Sequence, residues 1–178
     1  EEVNSLTELG INHEQQHQEL FFTDLKYNFS RNPLYPAYAS KIDFAESKSE
    51  PLEWLCFKGG IHEMGYGGDD FCFDNETPTH SVLLQDFAIA NRLVSNGDYR
   101  NFIADGGYQR PELWLADGWA TVQQYNWQQP LYWQQQGQDW YEFTLYGLQA
   151  LLEHLPACHL SAYEADAFCR WSGNRLPS

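Results

Sequence analysis

An α+β fold is predicted by three features met in order along the chain. The first thirty residues carry a helical stripe, short apolar or alternating runs begin at Leu52, and two later helices each open on a capping box. From residue 1 to about residue 30 the stripe is Val3, Leu6, Gly10, His13, His17, Leu20, Asp24 and Tyr27, in alternating steps of three and four. A stripe of this kind is the inward face of a bundle helix. One amphipathic helix cannot bury it alone, so its partners are expected from residues outside this chain or from another molecule.

Residues 31–51 hold Pro33, Pro36 and Pro51 among serines and mixed charge, which reads as a linker or an extended wrapping segment. From residue 52 the character changes. Runs over 52–57, 61–65 and 80–90, separated by Gly and Asp clusters, are expected as strands. The box Ser95-Asn-Gly-Asp98 predicts a helix over 99–104 that stops at Gly106, and Ser161-Ala-Tyr-Glu164 predicts one over 165–171 that stops at Gly173. Between them the chain is rich in Trp, Tyr and Gln and reads as packed loop. A hairpin is expected there, from Leu131-Tyr-Trp133 to Trp140-Tyr-Glu-Phe143 across Gln136-Gly137-Gln138.

The composition is globular: 43% of the 178 residues are hydrophobic and 16% aromatic, with seven Trp, and those aromatics require a core. A formal charge of −15, with only ten Lys and Arg along the chain, argues against a nucleic-acid partner. The same charge suits a soluble acidic surface and accommodates a small cationic or zwitterionic ligand. Cys56, Cys72, Cys158 and Cys169 show no C-x-x-C spacing and sit among aromatic or aliphatic neighbours, so they are expected as buried free thiols of a reduced cytoplasm. No run of 18 apolar residues predicts a membrane span, and no basic-then-apolar N-terminal segment predicts secretion.

The sharpest chemical signal is the segment Asn12-His-Glu-Gln-Gln-His-Gln-Glu-Leu20. Histidines four residues apart on a helix project side by side, about 6 Å between β-carbons, so one metal ion can accept a nitrogen from each. The alternative is a pair of interior histidines hydrogen-bonded to neighbouring helices. His13-Glu14-Gln15-Gln16-His17 also matches the H-E-x-x-H pattern of zinc proteases. The extended form of that motif requires a glycine and a third histidine shortly afterwards, where Leu20 and Thr23 stand. The acidic residues Asp69, Asp70, Asp74 and Glu76 lack the D-x-[DN]-x-[DN]-G arrangement of a calcium loop.

The same segment, together with Thr23-Asp24, resembles the last helix of the DinB-like bundle in the EgtB-type, iron-dependent sulfoxide synthases of ergothioneine biosynthesis. The chain from residue 52 onward resembles their second domain, a formylglycine-generating-enzyme (sulfatase-modifying factor) module of C-type-lectin-like fold. That match rests on Gly60 with Met64-Gly65, on Phe73-Asp-Asn-Glu-Thr-Pro-Thr-His80, and on Val94-Ser-Asn-Gly-Asp-Tyr-Arg-Asn-Phe102 with Gly106-Gly-Tyr108. It continues in His159-Leu-Ser-Ala-Tyr-Glu-Ala-Asp-Ala-Phe-Cys-Arg-Trp171 with Gly173-Asn-Arg-Leu-Pro177. Three segments are expected accordingly: 1–30 as the terminal bundle helix, 31–51 as linker, and 52–178 as the N-terminal part of the lectin-like module, incomplete at its C-terminus.

The resemblance implies a three-histidine Fe(2+) centre with open positions for a thiol and dioxygen, in which His13 and His17 match the two helix-borne ligands. The third ligand is implied upstream of Glu1, and none of His62, His80, His154 or His159 falls at its position. Gln16 matches a residue that helps bind the trimethylated histidine substrate. The implied reaction is O2-dependent C–S bond formation between cysteine or γ-glutamylcysteine and hercynine (trimethylhistidine), giving a sulfoxide. Two alternatives stay open: an ovothiol-type synthase that joins cysteine and histidine at another imidazole carbon, and a lectin-like binding module without catalysis. The family's catalytic tyrosine is implied beyond residue 178. Cys72 and Cys169 are expected as structural, and Tyr99, Tyr108 and Tyr163 as packing residues. The 178 residues alone are expected to bind iron weakly, if at all, and not to turn over.

Overall fold

A computed structural model describes residues 2–40 and 50–177, so part of the segment read as linker lies outside the described residues. The α+β expectation holds. The backbone groups into two compact units, Glu1–Leu25 with Leu52–Arg92, and Lys26–Pro51 with Leu93–Ser178.

In the first unit the predicted N-terminal helix is α1 (Glu2–Ser30), whose body up to Leu25 belongs here. Polar side chains that compete with helical hydrogen bonds elsewhere fold back on this one. Thr7, Asn12 and Thr23 each donate to the carbonyl four residues earlier, at 2.8, 3.0 and 3.1 Å. The stripe expected to face inward is open instead: Val3 is 74% exposed, Leu6 62% and Leu20 58%. No element among the described residues covers it, so the periodicity identified the face but not its surroundings.

The remaining four strands are β1 (Trp54–Phe57), β2 (Gly60–Met64), β3 (His80–Leu84) and β4 (Phe87–Ala90). The run expected as one strand over 80–90 is two. β1 pairs antiparallel with β4, and β2 with β3, and both pairs keep a single register. Trp54 faces Ala90; six residues on, Gly60 faces Leu84, six residues back. They form one ribbon interrupted at Lys58-Gly59 and Gln85-Asp86. At the interruption the Asp86 carboxylate replaces the missing backbone bonds, accepting from Gly59 N at 2.8 Å and from Lys58 Nζ at 2.7 Å. Gly59 is required there, because a β-carbon would come within 2.4 Å of the Leu84 carbonyl oxygen. A two-stranded ribbon buries little, and Leu55, Phe57, Ile61, Leu83 and Ile89 are exposed.

The second unit holds the core. Its elements are α2 (Asn96–Ala104), α3 (Ala116–Tyr125), α4 (Ala162–Trp171) and a meander of β5 (Trp133–Gln136), β6 (Asp139–Thr144) and β7 (Gly147–Ala150) in the order β5-β6-β7. Both predicted capping boxes form. The Ser95 hydroxyl accepts from Asp98 N while Asp98 accepts from Ser95 N at 2.9 Å, and Ser161 and Glu164 do the same for α4. Gly106 and Gly173 lie just past their helices with φ of 76° and 73°, as stop signals should. Tyr99, Phe102 and Phe168 pack ring against ring with Trp133, Trp114, Val122 and Leu151 around them.

The expected hairpin is β5 and β6, turning at Gly137 with φ 65°. The loop expected elsewhere in this stretch contains α3, which has no side-chain cap at Leu115, and β7. The buried-thiol expectation is corrected as well. All four cysteines are free, but Cys56 and Cys158 are exposed, one on the open ribbon and one on a surface loop, while Cys72 and Cys169 are half-buried.

Candidate functional site

On α1, His13 and His17 lie one turn apart, and their imidazole centres are 4.6 Å apart with planes at 75°. Both rings are exposed, and among the described residues neither has a hydrogen-bond partner. Two imidazoles binding one ion through nitrogens about 2.1 Å from it, at roughly right angles, would place their centres about 4.5 to 5 Å apart. The spacing of the two ring centres matches that of a shared ion, and no hydrogen bond among the described residues occupies the ring nitrogens. Gln16 is exposed on the same turn. The next turn is open and presents two apolar side chains, Leu20 and Phe21, both exposed, and the Phe21 and Phe22 rings meet edge to face at 5.9 Å.

The other histidines are engaged or dispersed. His80 Nδ1 is 2.9 Å from the Pro78 carbonyl, and His62 is exposed on β2. No group of three or more His, Cys, Asp or Glu able to hold a metal forms among the described residues. That applies to Asp69, Asp70, Asp74 and Glu76 too, where the Glu76 carboxylate is taken by Phe73 N at 2.7 Å.

Two polar clusters in the second unit escaped sequence reasoning. In the first, the Tyr108 hydroxyl donates to Glu164 Oε1 at 2.5 Å and lies 3.2 Å from the Tyr99 hydroxyl. Glu164 is only 3% exposed, and its second oxygen caps α4 by accepting from Ser161 N at 2.8 Å. Burial first, and the neighbouring carboxylate with it, pushes both tyrosine hydroxyls well above their usual range, so they stay protonated donors. This supports the packing role expected of Tyr99 and Tyr108, with a hydrogen-bond chain added.

The second cluster gathers on Lys26, the sole Lys or Arg of α1. Its Nζ is 2.8 Å from His159 Nε2, 3.8 Å from Glu142 Oε1, and 4.5 Å from the centre of the Tyr132 ring. The only signal in the sequence is that lone cation on an otherwise acidic helix. Its partners lie more than 100 residues away, beyond the reach of any motif.

No helix among the described residues is long and apolar enough to cross a membrane. A family model, the sulfatase-modifying factor enzyme 1-like domain, matches residues 41–178. The chain is 30% identical over 174 residues to a hercynine oxygenase of Mycolicibacterium smegmatis, covering 96% of this chain and 39% of the relative. It is 31% identical over 169 residues to a hercynine oxygenase of Mycobacterium tuberculosis, covering 94% and 39%. A third relative, ergothioneine biosynthesis protein 1 of Schizosaccharomyces pombe, is 30% identical over 109 residues, 61% of this chain and 12% of that protein. The chain thus spans about two-fifths of the length of the mycobacterial relatives.

Proposed function

Since the chain belongs to the sulfatase-modifying factor enzyme 1-like family, we propose that it contributes a metal-ligating helix and the start of a lectin-like domain to an enzyme that makes a carbon–sulfur bond. The acceptor is a histidine derivative of the hercynine type and the donor a small thiol, cysteine or γ-glutamylcysteine. The product is a sulfoxide on the way to ergothioneine. The hydrogens lost from the imidazole carbon and the thiol leave as water with one oxygen atom. The other oxygen atom ends on sulfur, so one O2 accepts four electrons.

The observation that carries this reading is the exposed His13 and His17 pair at 4.6 Å, without a hydrogen-bond partner among the described residues, in a chain similar over almost its whole length to proteins named hercynine oxygenase. His13 and His17 would hold a non-haem Fe(II) ion as neutral imidazoles, leaving a third ligand to come from elsewhere. That ion, when bound, supplies redox chemistry toward O2 and an anchoring position for a thiolate. The chain's own part is orientation. Gln16, with one amide acceptor and two donors, would hold the polar groups of the histidine derivative beside the pair. The net charge of −15 does not repel a quaternary ammonium group. In this reading α1 is the final helix of a DinB-like bundle, whose other helices would cover the open stripe.

The test is oxygen uptake by a full-length protein carrying this sequence. Uptake and a sulfoxide product are expected only when Fe(II), a thiol and hercynine are all present. An iron-loaded protein that yields no such product overturns the proposed substrate pair.

A further inference from the structure

We propose that Lys26, His159 and Glu142 form a proton-operated latch that fastens the C-terminal end of α1 to the β5-β6-β7 sheet, closed while the His159 imidazole is neutral and released when it takes up a proton. The latch goes beyond the proposed reaction and stands without it.

The chemistry of the contact sets its sign. A lysine ammonium has three donors and no acceptor, so at 2.8 Å the His159 Nε2 must offer a lone pair. The ring is therefore neutral with its hydrogen on Nδ1. Protonation would put a second cation against the first, with the single Glu142 carboxylate at 3.8 Å to serve both. The Lys26 and Glu142 side chains are only 13% and 20% exposed, so water screens little of that repulsion.

The site also shows construction. Tyr132 and His159, the two residues whose rings flank the ammonium, both hold left-handed backbone conformations with φ of 74° and 60°. A β-carbon disfavours that region, and such residues persist where the surroundings enforce them. Their rings meet edge to face at 4.9 Å, which fixes the imidazole while its Nε2 faces Lys26. The remaining titratable and charged neighbours are Cys158 beside His159, and Tyr27 and Arg31 near Tyr132. Arg31 is committed elsewhere, 3.0 Å from the Tyr27 hydroxyl and stacked over that ring at 4.7 Å.

Burial, then the charge of Lys26, holds His159 below its ordinary 6.5. Burial also lowers Lys26 and raises Glu142, so desolvation outweighs their mutual attraction and the pair relies on its third member. As pH falls below about 6.5 the unfolded chain takes up a proton that the closed latch refuses. The stabilisation is complete above that value and is lost on the way down to the depressed one.

The test is an NMR titration of the imidazole nitrogens from pH 4 to 8, with amide-exchange protection at Asn28, Phe29 and Ser30 followed over the same range. His159 is expected to carry its hydrogen on Nδ1 and to titrate below 6.5, and protection is expected to fall about tenfold through that titration. Lys26→Met should raise the midpoint, and Glu142→Gln, which removes the one carboxylate paired with Lys26 among the described residues, should lower it further. His159→Asn, which tolerates the left-handed backbone and does not titrate, should flatten the protection profile. A midpoint at or above 6.5, one that neither variant moves, or a His159→Asn protection profile that falls by the same factor over the same pH range as the unsubstituted protein's would overturn the latch. None of these readouts uses a metal, so the latch and the proposed reaction fail separately.

Discussion

The hydroxyl of Tyr108 donates its hydrogen bond to Glu164, fifty-six residues away, and the carboxylate that receives it also caps α4. One buried side chain thereby joins the turn after α2 to the start of the last helix. Tyr108→Phe keeps the ring and its packing against Phe102 and Trp114 but leaves a carboxylate oxygen in the core short of a donor. A loss of about 1 to 3 kcal/mol is expected, the usual cost of an unmet buried acceptor. Urea denaturation should show a lower midpoint at unchanged slope.

The two capping serines should be separable from that effect. Ser161→Ala and Ser95→Ala each remove one side-chain acceptor from a helix N-terminus, at Glu164 N and Asp98 N respectively. About 1 kcal/mol is expected for each, additive in the double variant because they cap different helices. Thermal unfolding of the two singles and the double variant checks both the size and the additivity.

Asp86 supplies a pH-dependent contribution to the ribbon. The hydrogen bond from Lys58, then that from Gly59 N, holds its carboxyl below the usual 3.8. The folded state therefore keeps this group ionised where the unfolded chain would protonate it. The stabilisation is present above about pH 4 and disappears as pH falls through the depressed value. Lys58→Met should shrink it and high salt should weaken it, since the pair is exposed. Acid titration of cross-strand contacts between Phe57 and Phe87 by NMR reads the effect directly.

For the proposed metal pair, His17→Ala in the full-length protein should abolish stoichiometric iron binding, and His13→Ala should do the same. Cys72→Ala should leave turnover within severalfold. Iron retained by either histidine variant, measured by metal analysis after gel filtration, removes the assignment of those ligands.

Legibility in the sequence depended on distance along the chain. The boxes at Ser95 and Ser161 and the stops at Gly106 and Gly173 are written within a few residues of the helix ends they mark, and each is where the spacing placed it. The helix bearing His13 and His17 was legible from periodicity alone. α3 was not, because Leu115 offers no capping side chain and its Trp, Gln and Gly residues resemble loop. Gly118 is there for a long-range reason: a β-carbon would come within 2.8 Å of Tyr163. The split of residues 80–90 into β3 and β4 was likewise invisible, since it depends on Asp86 meeting Gly59. Lys26 and His159 belong to the same class of contact, made by the fold rather than by a motif.

Because both strand pairs of the ribbon count in step, the molecule carries a length constraint that falls unevenly on its sequence. The connection over residues 65–79 lies at the tip and can gain or lose residues without altering a single pairing. At Lys58-Gly59 the case is different. One inserted residue would carry all of β2 to the opposite face of the ribbon unless another were added at Gln85-Asp86. Descendants of this sequence should therefore keep the ribbon's register through length changes at the tip, and change length only in matched steps at the waist.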